Sequence, residues 1–414
     1  MDDERTTRMP EDEGWRSAAL AAVDAWGGRL RELSHSLHAE PETAFAEHRS
    51  AAKITALLAE AGFTVERGVA GMETAFVARY GTGGLRLALC AEYDALPGLG
   101  HACGHNVNGA ASVGAGLGLA AVAAALDLTV EVVGTPAEED AGGKVLLLDA
   151  GVFADTAAAM MVHAGPRDTV RASSLAVGAW DVVYRGRPSH AALAPWEGVN
   201  ALDAFTVAHT ALGMLRQQLP PGALVHTVLH EGGTAVNIVP ALALGRCEMR
   251  APDAEQLAVV RERVRACFEA GALATGATLE LVPHGEEFAD MRQDEALSSA
   301  YERAARSLGR VPEDLSGRTM ASTDMGNISR VLPSIHPTIG YATAGAEPHT
   351  AAFAAYGTSP QADAAVLDGA KALALTAAEI AATPHERRRL LHALSLRRAP
   401  HPGTEKEPDP AEHH

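Results

Sequence analysis

Ala91-Glu92-Tyr93-Asp94-Ala95-Leu96-Pro97-Gly98-Leu99-Gly100-His101-Ala102-Cys103-Gly104-His105-Asn106 is the stretch on which the reading of this chain turns. It places three metal-capable side chains, His101, Cys103 and His105, just after two carboxylates, Glu92 and Asp94. In an extended segment, residues i, i+2 and i+4 face one side. A thiolate and an imidazole two positions apart then converge on one cation, a donor pair that suits zinc and similar ions. The apolar run Leu85–Ala91 leads into the stretch and reads as a strand. Residues 107–126, free of charge and rich in Ala and Gly, follow it. They are long enough to span a bilayer but poor in large apolar side chains, so a buried core helix is expected. The Gly114-Ala115-Gly116-Leu117-Gly118 run inside them has the wrong spacing for a dinucleotide fingerprint.

Outward from this centre, helices are expected at 15–37 and 46–61, and strands at 64–66, 74–80, 128–134 and 157–162, with a helix at 143–149. Strands alternating with helices imply an α/β layered domain with a mixed, mostly parallel sheet flanked by helices. The rhythm changes near Arg171. Strand 175–186, helix 199–218, strands 223–230 and 241–250, helix 254–270 and strand 277–283 spell β-α-β-β-α-β, the ferredoxin-like split unit. The α/β pattern then resumes, with helices at 294–308 and 363–382 and a strand at 334–341. The economical division is a discontinuous catalytic domain, 15–171 and 285–392, interrupted by an inserted α+β domain at 172–284. Residues 1–14 and 393–414 read as disordered tails.

Composition narrows the function. The 414 residues carry a net charge of −18, which disfavours phosphate backbones and anionic membranes, so neither nucleic acid nor membrane is an expected partner. Four scattered cysteines form no disulfide framework, and the acidic N-terminus lacks a signal-peptide core. A cytoplasmic location is expected.

Further candidates lie downstream. Glu138-Glu139 follows an apolar strand and precedes Gly142-Gly143, which sets it in a strand-to-helix loop. Adjacent carboxylates there can divide the work, one ligating a metal and the other holding a water as general base. His163 closes an expected strand, a place where ligands gather in α/β sheets. His349 lies in a turn before a helix, in Ala346-Glu347-Pro348-His349-Thr350.

With these motifs assembled, the chain resembles the amidohydrolase branch of the dinuclear metallo-aminoacylase and carboxypeptidase family, most of all its aminobenzoyl-glutamate hydrolase and dipeptidase-like members. The resemblance spans roughly residues 15–382. It is carried by Glu92-Tyr93-Asp94-Ala95-Leu96-Pro97-Gly98, His101-Ala102-Cys103-Gly104-His105-Asn106, Pro136-Ala137-Glu138-Glu139 and Met161-Val162-His163. Pro188-Ser189-His190-Ala191, Trp196-Glu197-Gly198-Val199-Asn200-Ala201-Leu202-Asp203, Asn237-Ile238-Val239-Pro240, Ser322-Thr323-Asp324-Met325-Gly326-Asn327 and Pro348-His349-Thr350 complete it.

The resemblance implies two divalent metal ions, zinc or manganese, with Cys103 as a bridging thiolate and His105, Glu139, His163 and His349 as the other ligands. It implies Glu138 as general base and proton donor, and His190 as a residue reaching the partner subunit's site to polarise the scissile carbonyl. Asn237 is expected to contact substrate. Arg250 is a candidate for the substrate carboxylate. The inserted domain is expected to act as lid and dimer interface, giving a homodimer. The implied reaction is hydrolysis of the amide bond of an N-acyl amino acid or unusual dipeptide, a small molecule with a free carboxylate, by a metal-activated water. An exopeptidase for ordinary peptides and a catalytically silent ligand-binding relative are the alternatives. Two positions depart from the auxin-conjugate hydrolases of this branch: Asn106 replaces their usual Asp, and Asp140 stands where they carry a Gly run.

Overall fold

The computed structural model describes residues 12–398. Its main sheet has six strands in the order Thr64–Arg67, Phe76–Tyr80, Leu128–Gly134, Leu85–Ala91, Ala158–Met160, Ser334–Ile335. The first two junctions are antiparallel and the other three parallel. The Leu128–Gly134 strand is buried throughout, as expected where helices cover both faces. Alternation along the strands divides the core. Leu87, Leu89, Val130 and Val132 pack in one cluster with Leu30, Val113 and Leu373. Ala88, Cys90 and Val133 face the other way, against Leu147, Phe153, Met325 and Ile328.

The charge-free run is a core helix, His105–Ala120, buried on every side. It ends at Ala120, earlier than expected, and turns follow until Asp127, at φ 49°, leads the chain into Leu128–Gly134. Its glycines are contact points. A Cβ on Gly114 would lie 2.7 Å from Ala370 Cβ and 2.8 Å from Leu30 Cδ1, atoms of helices Pro360–Ala382 and Asp12–Ala39. Small residues let these three backbones approach. Among the described residues no helix is long and apolar enough to cross a membrane.

Two expected strands give way to pairs of shorter ones. Residues 157–162 shorten to Ala158–Met160 and a second strand, His163–Gly165, follows beyond them, while residues 334–341 become Ser334–Ile335 and Thr338–Gly340. The second strand of each pair leaves the main sheet and joins Thr169–Val170 and Glu313–Asp314 in a small one. His163 therefore opens a strand rather than closing one. The break coincides with Pro337, which has no N–H to donate but still accepts from the His163 amide at 2.9 Å.

The β-α-β-β-α-β unit is present. Its strands lie in the order Leu224–Glu231, Leu242–Ala251, Ala176–Arg185, Thr278–Pro283, all antiparallel, with helices Ala201–Leu215 and Ala254–Thr275. It has its own core around Trp180, Tyr184, Phe205, Val264 and Phe268. Along Leu242–Ala251, Cys247 and Met249 enter that core while Arg246, Glu248 and Arg250 face a cavity shared with the larger α/β unit.

Helices reach into both segments expected as tails. Helix Asp12–Ala39 starts inside the segment assigned to an N-terminal tail. Helix Pro384–Arg398 continues past residue 392 because Leu390 and Leu394, one turn apart, are both buried. The rest of the two expected tails, 1–11 and 399–414, lies outside the described residues.

Candidate metal centre and active site

Loops at the ends of the parallel strands converge on a cavity of about 480 Å³ between the main α/β unit and the inserted one. The segment from His101 to His105 is not extended there. Gly104 takes φ +79°, and His105 begins the core helix. A side chain at 104 would put its Cβ 2.4 Å from Ala164 Cβ, so both conformation and space demand glycine. This turn breaks the alternation. Cys103 and His105 join the cluster, whereas His101 points elsewhere, stacked on His38 with ring centroids 6.2 Å apart. Burial there pushes the His101 pKa down to about 3, which keeps the ring neutral.

Cys103, His105 and His163 offer donor atoms that all lie within 4.8 Å of one another, and so do Cys103, Glu139 and His349. The two triads share the thiol. Cys103 Sγ is 3.7 Å from His163 Nε2 and 3.4 Å from His349 Nε2. His349 Nε2 is 3.5 Å from Glu139 Oε2, and His105 Nε2 is 3.9 Å from both Glu138 Oε2 and Glu139 Oε1. All five expected ligands and the expected base thus come together.

The donor set fits a pair of divalent cations. His105 Nε2 and Glu139 Oε1 are buried with no hydrogen-bond partner, a costly state that a bound cation relieves. Tautomers are fixed in the same sense. His105 Nδ1 is 2.9 Å from the Asp94 carbonyl oxygen and 3.1 Å from Asp94 Oδ1, so it carries a proton and turns Nε2 toward Glu138 and Glu139. His163 Nδ1 donates to the Ala164 carbonyl at 2.8 Å, which turns its Nε2 toward Cys103. Burial pushes the Cys103 thiol well above its usual range. The burial that opposes charge on His105 is outweighed by the Asp94 and Glu92 carboxylates, which raise it. Two backbone positions are strained here: Ala137 at φ 60° and His349 at φ 64° sit in the left-handed region without being glycine. The His349 amide donates to the Ala102 carbonyl at 2.8 Å, which ties it to the cysteine loop.

Beneath Glu138 lies a buried ionic group whose arrangement the sequence did not reveal. Lys144 Nζ, fully buried, donates at 2.6 Å to both Glu92 Oε1 and Asp324 Oδ1. Asn108 joins it by donating to Glu92 Oε2 at 2.8 Å while accepting from the Ala164 amide at 2.7 Å. Burial, then the charges of Glu92, Asp324 and Glu139, raise the Glu138 carboxyl well above the usual range. A lone lysine in Gly143–Asp149, followed by four apolar residues, was the available signal. His336 was also missed. It lines the cavity, with its ring 5.3 Å from that of His163.

The other expected site residues divide. Arg250 lines the cavity, donating to Glu248 Oε1 at 2.8 Å and to Ser322 Oγ at 2.9 Å. His190 and Asn237 do not line it. They lie together on the inserted unit, where the Ala191 amide donates to the Asn237 carbonyl at 3.0 Å. The two departures have local explanations. Asn106, buried, donates to Ser34 Oγ at 2.9 Å and to the Gly357 carbonyl at 2.8 Å, which an aspartate cannot do. Asp140 stands on the cavity wall, 3.6 Å from His284.

Known proteins match this architecture. The chain is 37% identical over 398 residues to a mouse Xaa-Arg dipeptidase, covering 92% of each chain. It is 34% identical over 292 residues to one of the p-aminobenzoyl-glutamate hydrolase subunits of Escherichia coli, covering 63% of this chain and 58% of that one. A Bacillus subtilis protein described as a dinuclear metal-binding peptidase of the M20 family shares the fold at a TM-score of 0.66 and 23% identity, over 86% of this chain and 99% of that one. Residues 88–379 match the profile of peptidase family M20/M25/M40, and the chain belongs to that family of amide-bond hydrolases.

Proposed function

We propose that this protein hydrolyses the amide bond of a dipeptide or N-acyl amino acid bearing a free carboxylate, using two divalent cations, zinc or manganese, held by Cys103, His105, Glu139, His163 and His349. The observation that carries the reading is the pair of donor triads sharing Cys103, with Glu138 beside them on one cavity. When bound, the cations supply Lewis acidity and a water acidic enough to attack. Glu138, uncommitted to the shared thiol, would be drawn to its carboxylate form by the neighbouring cations and so could take a proton from the attacking water and pass it to the leaving amine. Arg250 offers a guanidinium on the cavity wall for the substrate carboxylate. The dipeptidase relative favours a dipeptide, and Asp140 and Glu286 on the same wall suit a basic side chain.

His190 and Asn237 act in the partner's site on this reading. The Ala192 and Leu193 amides donate to His190 Nδ1 at 3.2 and 3.3 Å, so the ring proton resides on Nε2. That Nε2–H is the donor that a polarised carbonyl requires. Dimerisation through residues 172–284 is supported by the edge strand Leu224–Glu231, with Leu224, Val228 and Leu229 exposed beside Val207 and Met214 of Ala201–Leu215. Four free cysteines are consistent with a reducing cytoplasm.

The test is elemental analysis combined with a panel of substrates: dipeptides ending in Arg, Lys or an apolar residue, β-alanyl dipeptides, and aminobenzoyl-glutamate. About two cations per chain and turnover that prefers one class support the reading. Metal-replete protein that cleaves none of them overturns it.

A further inference from the structure

Glu47 is a fully buried carboxylate that takes no part in the proposed chemistry. It precedes helix His48–Glu60, whose Ile54, Leu57 and Leu58 are anchored in the main core. That anchoring fixes where the carboxylate sits. Glu47 Oε1 accepts from the Ala137 amide at 2.9 Å, across 90 residues of sequence, while Oε2 is buried without a partner. No ion pair to Glu47 is found among the described residues.

Ala137, itself fully buried, immediately precedes Glu138-Glu139 and is left-handed at φ 60°. An L-residue with a Cβ disfavours that conformation, so something must hold it. The Ala137 carbonyl accepts from the Ala141 amide at 3.1 Å and the Gly142 amide at 2.9 Å, closing the loop behind the glutamate pair. Asp94 Oδ2 accepts from the Glu139 amide at 3.0 Å, gripping the other side. The same N-terminal segment holds Asp94's neighbour, because the Glu42 carbonyl accepts from the Ala95 amide at 2.8 Å. Removal of the Glu47 acceptor leaves a buried N–H unpaired and frees Ala137 to relax. A change in its φ redirects both glutamates at once.

We propose that Glu47 is a positioning residue: its carboxylate locks Ala137 in the left-handed conformation and so aims Glu138 and Glu139 into the cavity. The inference rests on the amide-hydrolysis reading for its kinetic arm only.

The experiment combines amide hydrogen exchange across residues 136–142, read to single residues, with kinetics of three variants. In the wild type the Ala137 amide is expected to exchange slowly; fast exchange there overturns the proposal whatever the activity. Glu47→Leu is expected to expose that amide and to lower kcat on the order of 10²-fold, with KM changed only a few-fold. Glu47→Gln retains an acceptor oxygen and is expected to stay within a few-fold of wild type with the amide still protected. Glu47→Leu/Ala137→Gly is expected to regain part of kcat, since glycine reaches the left-handed region without strain. Folded Glu47→Leu protein with wild-type exchange and kcat overturns the idea. So does a folded Glu47→Gln as impaired as Glu47→Leu, which would make charge, not hydrogen-bond acceptance, the active property. A wild-type enzyme inert on every amide defeats the functional reading but leaves the exchange result to decide the tie.

Discussion

Asp94 grips His105 by side chain and backbone together: the imidazole Nδ1 is 3.1 Å from Asp94 Oδ1 and 2.9 Å from its carbonyl oxygen. The second carboxylate oxygen accepts from the Glu139 amide, so one buried residue orients two expected ligands. Outer partners of this kind typically set metal affinity by about 10–100-fold. Asp94→Ala is therefore expected to weaken metal binding by about that factor, with folding preserved. Competition with a fluorescent chelator measures it; unchanged affinity would assign Asp94 to stability alone.

Glu138 and Glu139 are expected to separate cleanly. Glu138→Gln should retain both cations and lose roughly 10²–10⁴-fold in kcat, the usual range for a missing general base. Glu139→Gln should lose metal first and activity as a consequence, with partial recovery at high metal concentration. Metal titration followed by steady-state kinetics distinguishes them, and exchanged phenotypes would reverse the two assignments.

How far the sequence carries depends on whether a feature is contiguous. Cys103, His105 and Glu138-Glu139 are legible because each stands in a short motif flanked by glycine or proline. The β-α-β-β-α-β order is legible because Ala176–Arg185 and Leu242–Ala251 alternate buried and half-buried residues. His101 misleads because the alternation argument assumes an extended chain, and the left-handed Gly104 ends it. The Pro384–Arg398 helix escapes notice because only Leu390 and Leu394 are buried in an otherwise basic segment. The Glu47–Ala137 and Lys144–Asp324 contacts span 90 and 180 residues, and no local pattern encodes them.

Lys144 tests the ionic group beneath Glu138. Its ammonium is the cation that Glu92 and Asp324 share in a fully buried setting. Lys144→Met would leave both carboxylates uncompensated, a loss expected to cost about 3–5 kcal/mol. Urea unfolding should show the drop, and adding Asp324→Asn should return part of it. A variant as stable as wild type contradicts this account of the network.

Glu47 also predicts a pH dependence. Burial, helped by the nearby Asp94 charge, pushes its carboxyl up from 4.5 to about 7. The folded state therefore holds the proton more tightly than the unfolded one. Its contribution to stability is fully present below pH 4.5 and is lost as pH rises through 7. The loss is at most about 3 kcal/mol. Glu47→Gln cannot ionise, so in chelated protein its melting temperature should gain on wild type between pH 5 and pH 8. A constant difference across that range would show that Glu47 does not titrate as described.

The last prediction concerns His190, which is exposed on the inserted unit and absent from the cavity lining of its own chain. Its Nδ1 is occupied as an acceptor by the Ala192 and Leu193 amides, which leaves Nε2–H as the ring's donor. If that donor serves the partner's site, two inactive proteins should complement each other. Glu138→Gln chains lack the base but present His190, and His190→Ala chains lack the donor but keep Glu138. In a hybrid dimer one of the two composite sites regains both groups and the other loses both. After subunit exchange at equal concentrations, half the dimers are hybrids, each with one intact site, so activity should recover to about a quarter of wild type. Mass spectrometry of the intact dimers verifies the exchange independently of turnover. Hybrids that form in that proportion and remain inactive would remove His190 from the partner's chemistry.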